Sequence, residues 1–172
     1  AISVGEPAGI GPDTLIQTIQ SRREHHLIAH ADPDLLIQRA KTLNLPLKLV
    51  DPTNKNSLTA GVLAIAPQKL VDTCTPGKLN ANNSDYVIRC LDAATEDCLT
   101  KSADALVTGP IQKSIIKETS IKFTGHTEYL ANKMNVPNVV MMLASDKMKV
   151  ALVTTHIPIS QVAKEITGEK LK

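Results

Sequence analysis

Hydroxyl, imidazole and glycine residues gather at four points of this 172-residue chain. In Phe123-Thr124-Gly125-His126-Thr127-Glu128-Tyr129 a histidine and two hydroxyls meet where a helical pattern starts. Thr124 is placed to N-cap that helix, and the amides of a first helical turn have no intrahelical partner. His126 and Thr127 could donate to an anionic group together with those amides. A lone capping histidine is the plainer alternative. His156 follows Val153-Thr154-Thr155 and precedes Pro158, at the end of an apolar run. One histidine is a poor metal signal, because zinc and comparable ions take three or more ligands. No HExxH or HxH motif accompanies it, so any co-ligands come from elsewhere in space or from another chain.

Two further loops carry chemistry-bearing residues. Gly5-Glu6-Pro7-Ala8-Gly9-Ile10-Gly11-Pro12 joins a strand to a helix. Its spacing is neither GxGxxG nor GxxxxGKS, so it is not a dinucleotide or Walker fingerprint. Its glycines let the backbone approach a ligand, and the helix start after it favours an anion. A tight strand-to-helix turn explains the same residues. Thr108-Gly109-Pro110-Ile111-Gln112-Lys113 ends another strand, and Lys113 could meet a phosphate or carboxylate as a point charge. A surface lysine on a short helix is the equally simple reading.

The elements that must position these loops follow from periodicity. Strand-length apolar runs at 2–4, 26–30, 47–50, 62–66, 104–108, 139–144 and 150–154 alternate with helix-period segments. Pro12 opens a helix carrying Leu15, Ile16 and Ile19 on one face. Asp32-Pro33 opens the next as N-cap and N1, carrying Leu35, Leu36, Arg39 and Ala40. Ser84 opens the longest, with Val87, Leu91, Ala94 and Cys98 on one stripe. Short helices are expected at 111–118 and 158–167. Residues 104–108 read as a buried strand, and the runs at 139–144 and 150–154 as an antiparallel hairpin. His25, His26 and His30 read as strand-edge or surface residues. The alternation predicts an α/β fold, a layered and mostly parallel sheet with flanking helices. Such sheets bind ligands at the carboxyl ends of their strands.

Composition limits the alternatives. Three aromatic residues, Tyr86, Phe123 and Tyr129, are too few for the stacking platforms of a single-stranded nucleic-acid binder. Lys plus Arg is 19 against 17 Asp plus Glu, and no basic stripe exists. Lys147-Met148-Lys149 and Lys170-Leu171-Lys172 read as solvated ends. No apolar run reaches the roughly 18 residues of a membrane span. Cys74, Cys90 and Cys98 are odd in number and lack a CxxC, and no signal-peptide pattern precedes the first strand. A reducing cytoplasm is the expectation, with Cys90 and Cys98 as small buried hydrophobes.

Taken together and in order, GEPAGIGP, LVTGPIQK, FTGHTEYL, VVMML and ALVTTHIP resemble the 4-hydroxythreonine-4-phosphate dehydrogenase family of the pyridoxine pathway. The resemblance covers essentially the whole chain. The family's chains are longer, so residues 1–172 correspond to roughly an N-terminal half: most of one lobe and the start of a cleft, the remainder being absent. The implied fold is isocitrate/isopropylmalate dehydrogenase-like, two α/β lobes around a cleft.

The resemblance implies an NAD- or NADP-linked oxidation of 4-phosphooxy-L-threonine to 2-amino-3-oxo-4-phosphooxybutanoate. Decarboxylation then gives 3-amino-2-oxopropyl phosphate, on the way to pyridoxal 5'-phosphate. His126 and Thr127 match the family's substrate-binding pair. His156 matches the first of three histidines for a divalent metal (zinc, magnesium or cobalt); the other two lie beyond residue 172. A cytoplasmic homodimer with a shared active site is implied, with neither nucleic acid nor membrane as partner. Related dehydrogenases act on threonate or erythronate 4-phosphate or on dihydrodiols, and the motifs do not separate these. A third reading is that the chain alone is an inactive fragment that only dimerises or packs.

Overall fold

The computed structural model of the chain describes residues 1–137 and 139–171, with the side chains of residues 55 and 56 outside the description. Lys172, the last residue of the basic tail, lies outside the described residues. The chain divides into two units, Ala1–Gly125 and His126–Lys172.

The first unit is built on a parallel sheet. Strands β1 (Ile2–Ser3), β2 (Ile28–Ala31), β3 (Lys48–Val50), β4 (Val62–Pro67) and β5 (Val107–Thr108) lie in the order β3-β4-β2-β1-β5. All four pairings are parallel, with Ser3 opposite His30 and Ala29 opposite Ile65. The helices are α1 (Gly11–Thr18), α2 (Pro33–Thr42), α3 (Ser84–Leu99) and the short α4 (Lys113–Ile116). Alternation along the strands sends Val4, Ala29, Ala31, Leu63 and Ile65 to one face. There they pack with Leu15, Ile16 and Ile19, and with Leu36 and Ala40 of α2. This is the aliphatic core that the helix-period stripes predict.

Local chemistry sets the helix ends. Asp32 Oδ1 accepts the amides of Asp34 at 2.8 Å and Leu35 at 3.3 Å, and Pro33 supplies a preset φ at the first turn. Asp32 Oδ2 also accepts from the Leu70 amide at 2.9 Å, so this cap ties the loop after β4 to the loop after β2. The predicted stripe of α3 is buried at Val87, Leu91 and Ala94, with Tyr86 and Cys90 beside it.

Three expectations are corrected. Cys98 is only half-buried, unlike Cys90. The segment at 104–108 forms only a two-residue strand, and it is exposed rather than buried, with Val107 58% accessible. It stands at the sheet edge, paired on one side alone. His30 is not a surface residue: it is 3% accessible and its Nε2 lies 2.8 Å from Asp97 Oδ2 on α3. His25 and His26 are exposed, as expected.

The second unit contains α5 (His126–Lys133), β6 (Met141–Ala144), β7 (Lys149–Leu152) and α6 (Ile159–Glu165). β6 and β7 form the predicted antiparallel hairpin, Met141 opposite Leu152 and Ala144 opposite Lys149. The Ser145 hydroxyl accepts the Met148 amide at 3.2 Å and closes the turn. None of the described residues of this unit is buried. Among the described residues, no helix is long and apolar enough to cross a membrane.

Candidate functional site

In the first unit, α1 follows β1 toward β2, whereas α3 carries the chain from β4 back across the sheet to β5. The strand order therefore reverses between β1 and β5. Parallel α/β sheets receive ligands at such a point, outside the carboxyl ends of the strands. The two loops there are the glycine loop after β1 and the 109–113 segment after β5, so the fold brings together two of the four candidate segments.

Their glycines serve each other. Glu6 N–H donates to Pro110 O at 2.9 Å, and Gly109 N–H to Ser3 O at 2.7 Å. A Cβ on Gly5, whose φ is +77°, would lie 2.3 Å from Pro110 O; one on Gly109 would lie 2.2 Å from Val4 O. Within the loop, Gly9 N–H donates to Glu6 O at 3.0 Å and Ala8 N–H to Glu6 Oε1 at 3.1 Å. Ala8 O accepts Gly77 N–H at 2.8 Å, and Gly9 O accepts Arg39 Nη2 at 2.8 Å. The amides of Glu6, Ala8 and Gly9 are thus committed inward. The first turn of α1 holds Asp13, gripped by the Arg39 guanidinium through Nε at 2.6 Å and through Nη2. The loop is thus a tight strand-to-helix turn, with the carboxylate in the first turn of α1 paired to Arg39.

The electrostatics agree. Burial pushes the Glu6 carboxyl above the usual carboxylate range, partly offset by the Ala8 amide. The Cys74 thiol is raised by burial and by Glu6, with Arg39 acting the other way. Such a thiol is inert rather than nucleophilic. Lys113, at the start of α4, is exposed. Gln112 beside it spends its amide on Ser114 Oγ at 2.7 Å. The surface-lysine reading fits both.

A shallow pocket of about 290 Å³ lies beyond the ends of β2 and β4, lined in part by Asp32, Asp34, Gln38, Lys69, Asp72 and Cys74. Some of its polar groups are engaged: Lys69 Nζ reaches Asp34 Oδ2 at 2.6 Å, and Asp72 Oδ2 accepts from Asn80 at 2.9 Å and Asn82 at 2.8 Å.

His126, Thr127 and His156 all lie in the second unit. His126 is the first residue of α5, which puts Gly125, rather than the expected Thr124, at the position flanking the first turn. His126 is half-buried and Thr127 exposed. His156 is exposed in the bend after β7, with φ +57°, a left-handed conformation costly for a residue bearing a Cβ. Its imidazole is open to solvent four residues after the end of β7. Among the described residues, no group of three or more His, Cys, Asp or Glu side chains gathers to hold a metal.

Sequence reasoning did not single out the Arg39–Asp13 pair or the His30–Asp97 pair. A charged residue on an apolar helix stripe was the available signal for Arg39, which is 5% accessible.

Comparison with known proteins adds the following. The family model for pyridoxal phosphate biosynthetic protein PdxA matches residues 22–172. A curated 4-hydroxythreonine-4-phosphate dehydrogenase of Saccharophagus degradans is 45% identical over 99% of this chain and 52% of its own length. One from Shewanella denitrificans is 47% identical over 99% of this chain and 53% of its own. The chain therefore spans about half the length of the curated relatives it matches. A solved structure described as a putative 4-hydroxythreonine-4-phosphate dehydrogenase from Salmonella typhimurium superimposes with a TM-score of 0.85 at 26% identity, over 99% of this chain and 55% of that one. A terephthalate 1,2-cis-dihydrodiol dehydrogenase from Burkholderia xenovorans, at 18% identity and a TM-score of 0.70 over 99% of this chain and 52% of that one, shares the fold alone.

Proposed function

This chain belongs to the pyridoxal phosphate biosynthetic protein PdxA family, and from that membership we propose that the protein containing it is a 4-hydroxythreonine-4-phosphate dehydrogenase. The reaction is oxidation of the secondary alcohol of 4-phosphooxy-L-threonine, with hydride passing to NAD or NADP, to give 2-amino-3-oxo-4-phosphooxybutanoate. Loss of CO2 from that β-keto acid yields 3-amino-2-oxopropyl phosphate. The observation that carries this reading is the 45% identity to a curated relative of that name along 99% of the chain.

The residues take the following parts. His126 and Thr127, side by side at the start of α5, donate to the substrate's phosphate or carboxylate and orient it. His156 offers its exposed imidazole to a divalent metal, zinc, magnesium or cobalt. When bound, such an ion would act as a Lewis acid, lowering the pKa of the substrate alcohol for its oxidation and polarising the resulting ketone for decarboxylation. One imidazole fits as one ligand of such a site, with the remaining ligands supplied outside this chain. The amides of Glu6, Ala8 and Gly9 in the glycine loop are committed inward, and no step is assigned to them. The reading includes a cytoplasmic homodimer with a shared active site.

Turnover of the protein at the length of its relatives tests the proposal. Reduction of NAD or NADP with 4-phosphooxy-L-threonine is expected, dependent on added metal. Activity confined to threonate or erythronate 4-phosphate, or to a dihydrodiol, would overturn the substrate assignment.

A further inference from the structure

Three polar side chains lie together on the α3 side of the parallel sheet. Val4, Ala29 and Ala31 belong to the aliphatic core with α1 and α2, so alternation turns Ser3 and His30 to the opposite face. That face is the one α3 covers, and from it Asp97 reaches His30. Ser3 and His30 are partners in the register of β1 and β2, which sets their backbones about 4.8 Å apart. Ser3 is wholly buried and His30 is 3% accessible.

His30 Nε2 lies 2.8 Å from Asp97 Oδ2. A carboxylate accepts, so Nε2 carries the proton and the neutral ring keeps a lone pair at Nδ1. Nδ1 is buried and has no hydrogen-bond partner among the described residues; the same holds for Ser3 Oγ. Buried polar groups in native proteins find partners, either in the protein or in ordered water. The other polar groups under α3 are engaged or distant. Thr95 Oγ1 donates to Leu91 O at 2.7 Å, and the Tyr86 hydroxyl accepts from Asp32 N–H at 3.1 Å. Ser84 stands at the far end of α3, about 20 Å along the axis from Asp97.

We propose that Ser3 Oγ and His30 Nδ1 hold one internal water between β1 and β2. The water donates to Nδ1 and shares a second hydrogen bond with the Ser3 hydroxyl, which can act as donor or acceptor. A buried water needs two or more polar partners, and here two adjacent strands each supply one. The sequence Asp97, His30, water, Ser3 then ties α3 to β1 and β2, whose carboxyl ends carry the glycine loop and the Asp32 cap. Serine, histidine and aspartate in this order also form the constellation of a hydrolase, but a wholly buried hydroxyl meets no substrate. Nothing in this site depends on the dehydrogenase reading.

A crystal structure of the protein extended to its relatives' length, at a resolution that shows ordered water, tests the site. One water is expected at about 2.7–3.2 Å from both Ser3 Oγ and His30 Nδ1. A direct Ser3–His30 hydrogen bond, or no density between the two atoms, would overturn the proposal. The side-chain nitrogen resonances of His30 give a second reading in solution. In the neutral ring Nε2 is expected to carry the proton, and Nδ1 to show the shift of a hydrogen-bonded lone pair. Ser3→Ala removes one of the two partners and releases the water. In the extended protein it should move the Nδ1 resonance toward that of a free lone pair, while the Nε2–H signal stays in place. An Nδ1 resonance unmoved by Ser3→Ala, or a neutral ring protonated at Nδ1, would contradict the site.

Discussion

In the first unit Ile16, Ile19, Leu36 and Leu63 are shut off from water entirely. In the second, Met142 and Leu143 keep more than half of their surface wet, and Ile159 is 91% accessible. The amino acids are of the same kind; what differs is the number of layers. Ala1–Gly125 places α1 and α2 against one face of its sheet and α3 against the other. His126–Lys172 has a hairpin and two short helices, and none of its described residues is buried. Yet the residues matched to substrate and metal, His126, Thr127 and His156, sit in the second. The unit with a buried core is therefore not the one in which the proposed substrate and metal residues lie.

The largest effect expected from that contrast is chemical. His156→Ala in the extended protein should lower metal-dependent turnover by more than about 100-fold, since losing a ligand exceeds the loss of a residue that only orients one. Metal content by elemental analysis should fall with it, and wild-type content in this variant would refute the assignment.

Stability should show the opposite ranking. In the 172-residue chain Leu91→Ala, at a fully buried position on α3, is expected to cost about 2–5 kcal/mol. Leu143→Ala should fall within about 0.5 kcal/mol of wild type. Urea unfolding of both variants would break the comparison if the two costs were alike. At the loop junction, Gly109→Ala drives a Cβ to 2.2 Å from Val4 O and should cost about 1–3 kcal/mol.

The smallest effect is electrostatic. The folded-state pKa of Glu6 is raised above its unfolded value by burial. A raised value means that folding favours the protonated acid. The stability it confers is full below the unfolded value, near 4.5, and is lost as pH rises through the folded one. Glu6→Gln keeps an oxygen for the Ala8 amide and removes the charge. It should raise the melting temperature at neutral pH by a few degrees at most, with the gain vanishing below the unfolded value. A gain that persisted undiminished in acid would contradict the burial argument.

How much of this was legible in the sequence depends on how local the cause is. Asp32-Pro33 announces α2, because cap and first turn are neighbours in the chain. The hairpin follows from two apolar runs and a short polar link. His30 misled because its partner Asp97 lies 67 residues away. The strand at 107–108 misled because hydrophobicity does not tell which strand ends a sheet. For the glycine loop the spacing admitted a ligand or a turn; the approach of Pro110 O and Gly109 to Gly5, which the spacing does not reveal, shows the turn. The matches of His126, Thr127 and His156 came from motif resemblance, and the bare residue chemistry held the simpler readings level with them.

Divalent-metal titration by calorimetry, on the 172-residue chain and on the extended protein, tests the central claim most directly. On the proposed reading this chain brings one imidazole to the metal, and no group of three ligands gathers among its described residues. The account predicts no tight site in the 172-residue chain and one per subunit in the extended protein. Tight, stoichiometric binding by the 172-residue chain alone would contradict it.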